Sequence, residues 1–495
     1  MPPTKLASCV MVLGTTSGAG KSWLTTALCR WYAQRGFKVA PFKAQNMSNN
    51  ARVVAGLEGK YGEIGSAQYF QALAACALPD VRMNPVLLKP EADTHSQLVL
   101  LGQVNAELTA MSWRSRSEKV WPYVVQSLDA LRKENDVVVI EGAGSPAEIN
   151  LHSSDIVNMR VALHAQAQCL LITDIDRGGA FAHLYGTWAL LAENEKKLIR
   201  GFVLNKFRGD ASLLAPAPQM LKDMTGIPTV ATLPMWRQHG LPEEDGVFDD
   251  RSTSGGAVHT TIAVIAYPHI SNLDEFQVLK NVQGVRLVWA RTPADVLTAD
   301  WIILPGSKHT SSDLAWLRKQ KLCEAVALHA AHGKRVLGIC GGLQMLGHAV
   351  VDEYGVEGLR PAKAFGLGLL PLATAFAPEK TVRHAQARFT VLPGQWNCLS
   401  EVAFSGYEIH HGQTHVETGN SVNSRMPVNA LEGHLGWCNA QGNVLAVYVH
   451  GLFENASVLH ALFGYRAQTL DSVFETLADY IEQHFQSDVL INLIT

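Results

Sequence analysis

Short β-branched runs alternate with longer stretches of helical period along the whole chain. The first set covers residues 10–13, 137–140, 170–173 and 203–205, and the second 262–266, 301–304, 336–339 and 445–449. Buried strands separated by amphipathic helices predict an α/β protein of mainly parallel sheets covered by helices. Between the two sets, Asp249-Asp250-Arg251-Ser252-Thr253-Ser254-Gly255-Gly256 is polar, glycine-rich and without apolar period, so it reads as an interdomain linker. The expected organisation is a first domain over 1–248, a linker over 249–257, a second domain over 258–456 and a helical tail over 457–495. In that tail Leu470, Val473, Phe474, Leu477, Ile481 and Phe485 form the stripe of an amphipathic helix, expected to pack on its own domain. The length of 495 residues agrees with two or more domains.

Composition narrows the classes. With 47% hydrophobic and 17% charged residues the chain can bury large cores, which excludes a mainly disordered or fibrous protein. No apolar stretch approaches the roughly 18 residues of a membrane span, and the run over 9–13 passes straight into a glycine-rich loop instead of a cleavage site, so a soluble, unexported protein is expected. A net charge of −3, from 41 basic and 44 acidic groups, supplies no global field for nucleic acid or an acidic membrane. Anionic substrates must therefore be held by local groups. The eight cysteines, at 9, 29, 76, 169, 323, 340, 398 and 438, include no CxxC pair, which argues against a disulfide framework or cysteine zinc site and fits a reducing cytosol.

Two stretches carry chemistry. In the first half, an apolar run leads into Gly14-Thr15-Thr16-Ser17-Gly18-Ala19-Gly20-Lys21-Ser22 and then a helical pattern, the context of a phosphate-binding loop. Backbone N–H groups over Thr16, Gly18, Ala19 and Gly20 can face phosphates, Lys21 reaches the terminal ones, and Ser22 can hold Mg²⁺. The run over 137–140 delivers Glu141 to the ligand-binding edge of a parallel sheet, as a second Mg²⁺ candidate. Asp174, Asp176 and Arg177 reach the same edge, and Asn205-Lys206-Phe207-Arg208 closes the next strand. The first glycine sits one place early, giving G-x5-G-K-S, which resembles the loop of dethiobiotin synthetase and its relatives, enzymes that activate a carboxylate with ATP. That resemblance implies adenine recognition by Asn205.

In the second half, a strand over 336–339 meets Cys340-Gly341-Gly342-Leu343-Gln344, a reactive side chain among small residues at a strand-to-helix turn. Such a turn offers a helix N-terminus that favours thiolate and backbone donors for an oxyanion. His450, after the run over 445–449, is the candidate general base. Gly338-Ile-Cys340-Gly-Gly-Leu-Gln344 resembles the elbow of triad glutamine amidotransferases. Leu304-Pro305-Gly306-Ser307-Lys308 resembles the loop that forms part of their oxyanion hole. The resemblance implies oxyanion or glutamine-binding roles for Gly306, Ser307, Gly341 and Gln344. Those enzymes carry a glutamate two residues after the histidine, where this chain has Leu452; Glu454 lies out of register, so the third triad member stays unassigned.

Residues 41–50 (PFKAQNMSNN), 62–68 (GEIGSAQ), 83–90 (MNPVLLKP), 407–410 (YEIH) and 450–453 (HGLF) together resemble the cobyric acid synthase family, glutamine-dependent amidases of cobalamin biosynthesis. The resemblance runs from the phosphate loop to about residue 453. It implies amidation of the b, d, e and g carboxylates of adenosylcobyrinate a,c-diamide, with ATP and Mg²⁺, glutamine as ammonia donor and a protected ammonia path. Lys43, Gln45, Asn46 and Lys89 are the candidates for holding the corrinoid polycarboxylate, and a homo-oligomer is compatible with all of this. The sister a,c-diamide synthase is disfavoured by Lys43-Ala-Gln-Asn46 where a Gly-Pro-Asp-Tyr type of segment is expected. A partitioning-type ATPase with an inert amidotransferase-like appendage is disfavoured by Thr-Thr-Ser at 15–17, in place of the extra lysine, and by the presence of both Cys340 and His450.

Overall fold

The computed structural model describes residues 6–92, 95–237, 239–242, 258–357, 362–417, 426–464 and 469–495. The linker expected at 249–257 lies outside the described residues. Two parallel sheets organise the chain. The first has six strands in the order Thr229–Pro234, Ile199–Phe207, Gln168–Asp174, Ser8–Gly14, Val137–Glu141 and Val39–Phe42, all parallel. The second has Val285–Ala290, Thr260–Ile265, Trp301–Leu304, Arg335–Ile339 and Val444–Val447 in parallel, extended by the antiparallel strands Gly436–Cys438 and Val428–Asn429. The central strands are buried on both faces, as near-continuous apolar runs require.

The strand expected at 445–449 stops at Val447, and Tyr448 and Val449 continue outside the ladder. The reason is visible three residues on: His450 leaves the sheet to bridge Tyr407, its N–H donating to the Tyr407 carbonyl at 2.9 Å. Tyr407 lies on Ala403–Val416, which pairs antiparallel with Leu372–Arg388 in a long hairpin arm.

The tail divides in two. Helix Ala456–Phe463 packs on the second domain, with Phe463 stacked on Trp301 at 5.3 Å. Helix Leu470–His484 crosses back to the first domain, which corrects the expectation that it packs on its own. Val473, Phe474, Leu477 and Ile481 join Leu24, Leu28 and Cys29 of helix Lys21–Gln34 in one buried cluster. Arg30 pairs with Asp471 and Glu475, and Tyr32 donates its hydroxyl hydrogen to the Leu490 carbonyl at 2.7 Å. The apolar stripe was sound, but the matching stripe lies on the first helix of the chain, which a parallel sheet leaves uncovered on that side.

The two domains also meet through buried polar contacts. Glu63 accepts from Lys89 on its own side and from Lys380 of the hairpin arm, at 2.6 Å for the latter. Lys308 reaches Glu91 at 3.2 Å and Gln97 at 3.1 Å.

Candidate active sites

The phosphate loop joins strand Ser8–Gly14 to helix Lys21–Gln34 at the C-terminal edge of the first sheet, where open α/β sheets bind ligands. Gly20 adopts φ +105, and a Cβ there would stand 2.2 Å from Asn205 Nδ2, so both conformation and space demand glycine. Thr16, Ser17 and Gly18 form the exposed lip, while Ala19 is buried beneath. Lys21 folds back across the loop, its Nζ donating to the carbonyls of Thr16 at 3.1 Å and Gly144 at 3.0 Å. Ser22 Oγ donates to Glu141 Oε1 at 2.8 Å. Glu141 ends strand Val137–Glu141, fully buried, and also accepts from Lys43 Nζ at 2.8 Å and Gln71 Nε2 at 2.5 Å. Burial alone would raise its pKa; the Lys43 ammonium and these hydrogen bonds outweigh it and hold the group below the usual carboxylate value. A serine hydroxyl and an ionised carboxylate are hard oxygen donors of the class that suits Mg²⁺. Both therefore fit the ion.

The remaining first-half candidates separate. Asn205 is engaged with backbone at both ends of its amide, Nδ2 donating to the Ala19 carbonyl and Oδ1 accepting from Lys206 N–H, each at 2.9 Å. Lys206 adds a hydrogen bond to the Gly18 carbonyl and an ion pair to Asp174. The four acceptor candidates are all buried, and Gln45 and Asn46 lie on a strand that pairs with the strand of Lys89. Lys43 belongs to the Glu141 cluster. Asn46 donates to Gln68 Oε1 at 3.1 Å, beside that cluster. Gln45 lies next to it on the short strand Gln45–Met47. Lys89 instead lines the cavity that holds Cys340, and burial pulls its pKa down to about 7 against the opposing pull of Glu63.

Cys340 sits between strand Arg335–Ile339 and helix Gly341–Leu346 at φ 51, ψ −105, a conformation that costs a non-glycine residue strain. Its neighbours are glycine because the backbone is crowded: a Cβ on Gly342 would lie 1.9 Å from the Leu304 carbonyl oxygen, and one on Gly341 2.6 Å from Ser307 N. The Ser307 and Gly341 backbones thus lie against each other beside the thiol, and Gly306 packs on the His450 ring. The Ser307 hydroxyl is held by Asp313 at 2.6 Å, and Gln344 accepts from Thr310 at 3.1 Å. Ser307, Cys340, Gln344 and His450 line one cavity, together with Glu357, whose pKa burial raises to about 7.

His450 is 1% exposed and lines the same cavity as Cys340, whose thiol donates to the Ile409 carbonyl at 3.8 Å. Its Nδ1 faces Glu275 Oε1 at 2.9 Å, and the other carboxylate oxygen accepts from Gly451 N–H at 2.9 Å. Burial pulls the imidazole pKa down, but the Glu275 carboxylate and the Cys340 thiol more than reverse this and push it up to about 10. Glu275 therefore occupies the place left unassigned in the sequence. It lies on the turn Leu273–Phe276, after the first strand of the second domain, and Leu452 is core. The available signal was an adjacent acidic pair, Asp274-Glu275, set between apolar Leu273 and Phe276. Glu454 instead pairs with Arg52 at 2.6 Å.

Comparison with known proteins agrees with both halves. Residues 10–241 match the CobQ/CobB/MinD/ParA nucleotide binding domain and residues 261–458 the CobB/CobQ-like glutamine amidotransferase domain. The chain is 71% identical over 488 residues to cobyric acid synthase of Variovorax paradoxus strain S110, covering 98% of this chain and 99% of that one. It is 68% identical over 493 residues to cobyric acid synthase of Acidovorax ebreus strain TPSY, covering 98% of each. Among the described residues no helix is long and apolar enough to cross a membrane.

Proposed function

Because this chain belongs to the cobyric acid synthase family and so performs glutamine-dependent amidation in cobalamin biosynthesis, we propose that Cys340, His450 and Glu275 release the ammonia and that the phosphate-loop site activates its acceptor. The observation that carries this reading is His450, buried on the wall of the cavity that holds Cys340 and with its Nδ1 2.9 Å from Glu275 Oε1. A histidine with pKa near 10 is protonated at neutral pH, the form that stabilises the anionic sulfur a cysteine nucleophile needs. The thiolate attacks the glutamine amide carbon, and the oxyanion faces the Ser307 and Gly341 backbone. His450 hands a proton to the departing nitrogen, leaving a glutamyl thioester. Water, deprotonated by His450, cleaves that thioester and returns glutamate and thiol. Glu275 fixes the imidazole tautomer and stabilises its charge.

In the first domain, Lys21 and the loop N–H groups hold the phosphates of ATP. Ser22 and Glu141 are the residues that would hold Mg²⁺, which would supply positive charge to the phosphates. A corrinoid carboxylate oxygen takes the γ-phosphoryl group as ADP leaves, and ammonia then displaces phosphate from the acyl carbon. Lys43, on Glu141, is placed for the charge of the acyl phosphate, with Gln45 and Asn46 beside it. The acceptor is adenosylcobyrinate a,c-diamide, amidated at b, d, e and g. Eight cysteines free of disulfides fit a cytosolic enzyme.

Mass spectrometry of the corrinoid after incubation with ATP and glutamine should count four carboxylate-to-amide conversions. Cys340→Ser should abolish the glutamine reaction and leave the reaction with high ammonia. Two conversions would instead indicate the a,c-diamide enzyme, and full glutamine activity in Cys340→Ser would sink the nucleophile assignment.

A further inference from the structure

The triad of the second domain is braced by the first. Arg52 lies in strand Ala51–Ala55, is 1% exposed, and sends its guanidinium across the domain boundary. It forms an ion pair with Asp274, and its Nη1 lies 2.6 Å from Glu454 Oε1. Its Cζ stands 5.1 Å from the Tyr407 ring centroid. Each of these partners adjoins the triad. Asp274 immediately precedes Glu275. Glu454 belongs to the turn Leu452–Glu454 that follows His450 and Gly451, the same Gly451 whose N–H is held by Glu275. The Tyr407 ring stacks on the His450 imidazole at 5.4 Å and 18°, and the two residues exchange backbone hydrogen bonds of 2.9 and 3.3 Å.

The residues beside Arg52 act on the same segment. Asn50 Oδ1 accepts from Leu273 N–H at 3.0 Å, and Ala51 N–H donates to Asn272 Oδ1 at 2.9 Å. Residues 50–52 of the ATP-binding domain therefore hold residues 272–274 at both backbone and side chain. Charge explains why the cation is needed. Asp274, Glu275 and Glu454 are three carboxyl groups in one buried region, and the proximity of Asp274 and Glu275 adds to burial in raising the Glu454 pKa. A planar guanidinium with five donors can bridge two carboxylates and lie over an aromatic face at once, which an ammonium cannot. Without it, the Asp274 and Glu454 charges would repel the Glu275 carboxylate that orients His450.

We propose that Arg52 is a positioning residue for glutamine hydrolysis, supplied by the ATP-binding domain to set the Glu275–His450 pair of the amidotransferase domain, so that the thiol site reaches full activity only when the domains are docked. This rests on the assignment of Cys340 and His450 as the glutaminase site. Arg52 contacts neither substrate nor thiol; its effect passes through Asp274, Glu454 and Tyr407.

The test uses the full chain and compares glutamine-dependent with ammonia-dependent corrinoid amidation. Arg52→Met should lower kcat with glutamine by about 100-fold or more, leave the glutamine KM within about threefold, and keep ammonia-dependent turnover within about twofold of wild type. Arg52→Lys should recover part of the loss. The double variant Arg52→Met/Glu275→Gln should be no slower than Glu275→Gln alone, because both changes break one unit. Asp274→Asn removes the same bridge from the other side and should give the same selective loss; it decides the matter if Arg52→Met does not fold. Multiplying losses in the double variant, equal loss of both activities in Asp274→Asn, or full glutamine turnover in Asp274→Asn would each overturn the proposal. Retained glutamine activity in Cys340→Ser would instead overturn the site assignment beneath it, a separable result.

Discussion

Glu275→Gln removes one charge and almost no volume, which makes it the sharpest probe of the thiol site. The carboxylate is completely buried and lies 2.9 Å from His450 Nδ1. At an effective dielectric of about 20, unit charges at that separation interact by about 6 kcal/mol. Each 1.4 kcal/mol corresponds to a tenfold change in rate, so roughly four tenfold factors are the ceiling if the imidazolium depends wholly on Glu275. The glutamine side-chain amide can still hydrogen-bond Nδ1, in either tautomer, and retains part of the orientation. The expected loss in glutamine-dependent kcat is therefore about 10³ to 10⁴, the range seen when a triad carboxylate is neutralised. The assay pairs two reactions on the same preparation: release of glutamate from glutamine, and corrinoid amidation with ammonium chloride. The first should collapse and the second should stay within about twofold of wild type, since ammonia bypasses the thiol. A glutaminase loss smaller than tenfold would refute the reasoning, because a group with no charge coupling to His450 could be neutralised that cheaply. Parallel loss of both reactions would refute it as well.

Other consequences can be checked independently. Lys21→Ala should stop amidation with either nitrogen source, because the phosphates lose their nearest cation, while glutamate release in the absence of corrinoid continues; unchanged ATP turnover with corrinoid would count against the loop assignment. Lys43→Met leaves Glu141 buried without its ion pair and should raise the Mg²⁺ concentration needed for half-maximal ammonia-dependent activity, a titration in which a wild-type midpoint would remove Lys43 from the site. Because the folded-state pKa of His450 is raised from 6.5 to about 10, its stabilising contribution is complete below pH 6.5 and disappears as pH rises through 10. The melting temperature of wild type relative to Glu275→Gln should therefore fall across that window, and a constant difference would contradict the coupling. Phe474→Ala should destabilise the first domain by about 3–5 kcal/mol, read as an earlier denaturant midpoint, and an unchanged midpoint would show that the tail helix contributes nothing there.

How far the sequence could be read follows from the distance over which each signal acts. The phosphate loop and the Cys340 elbow are local: glycine, lysine, serine or cysteine within a few residues of an apolar run state both the turn and the reactive group. His450 was reachable because it too sits just past a strand. Glu275 was not, since it lies 175 residues from the histidine it hydrogen-bonds, and adjacency in the fold leaves no spacing in the chain. The surroundings of Lys89 were hidden for a related reason. Its motif lies in the first half, yet its side chain lines the cavity that holds Cys340, a neighbour more than two hundred residues away in the chain. The amphipathic stripe of residues 470–485 fixed a helix and its buried face without naming the surface opposite, because many apolar stripes are compatible with one another. The outer strands Val39–Phe42 and Val285–Ala290 were passed over, one being four residues long with an internal proline and the other carrying Arg286 near its start.

The return of helix Leu470–His484 to helix Lys21–Gln34 also imposes an order of events during synthesis. A ribosome delivers the phosphate loop first and the tail last, with the whole amidotransferase domain between them. Until residues 470–494 emerge, Leu24, Leu28 and Cys29 lack the cover that encloses them in the finished fold. The nascent first domain consequently waits with an apolar helix face open, the kind of surface that chaperones hold. The wait ends only after the ammonia-producing module has been translated. Assembly is in this way tied to supply: an ATP-binding domain whose outer layer is complete always has its source of nitrogen on the same polypeptide.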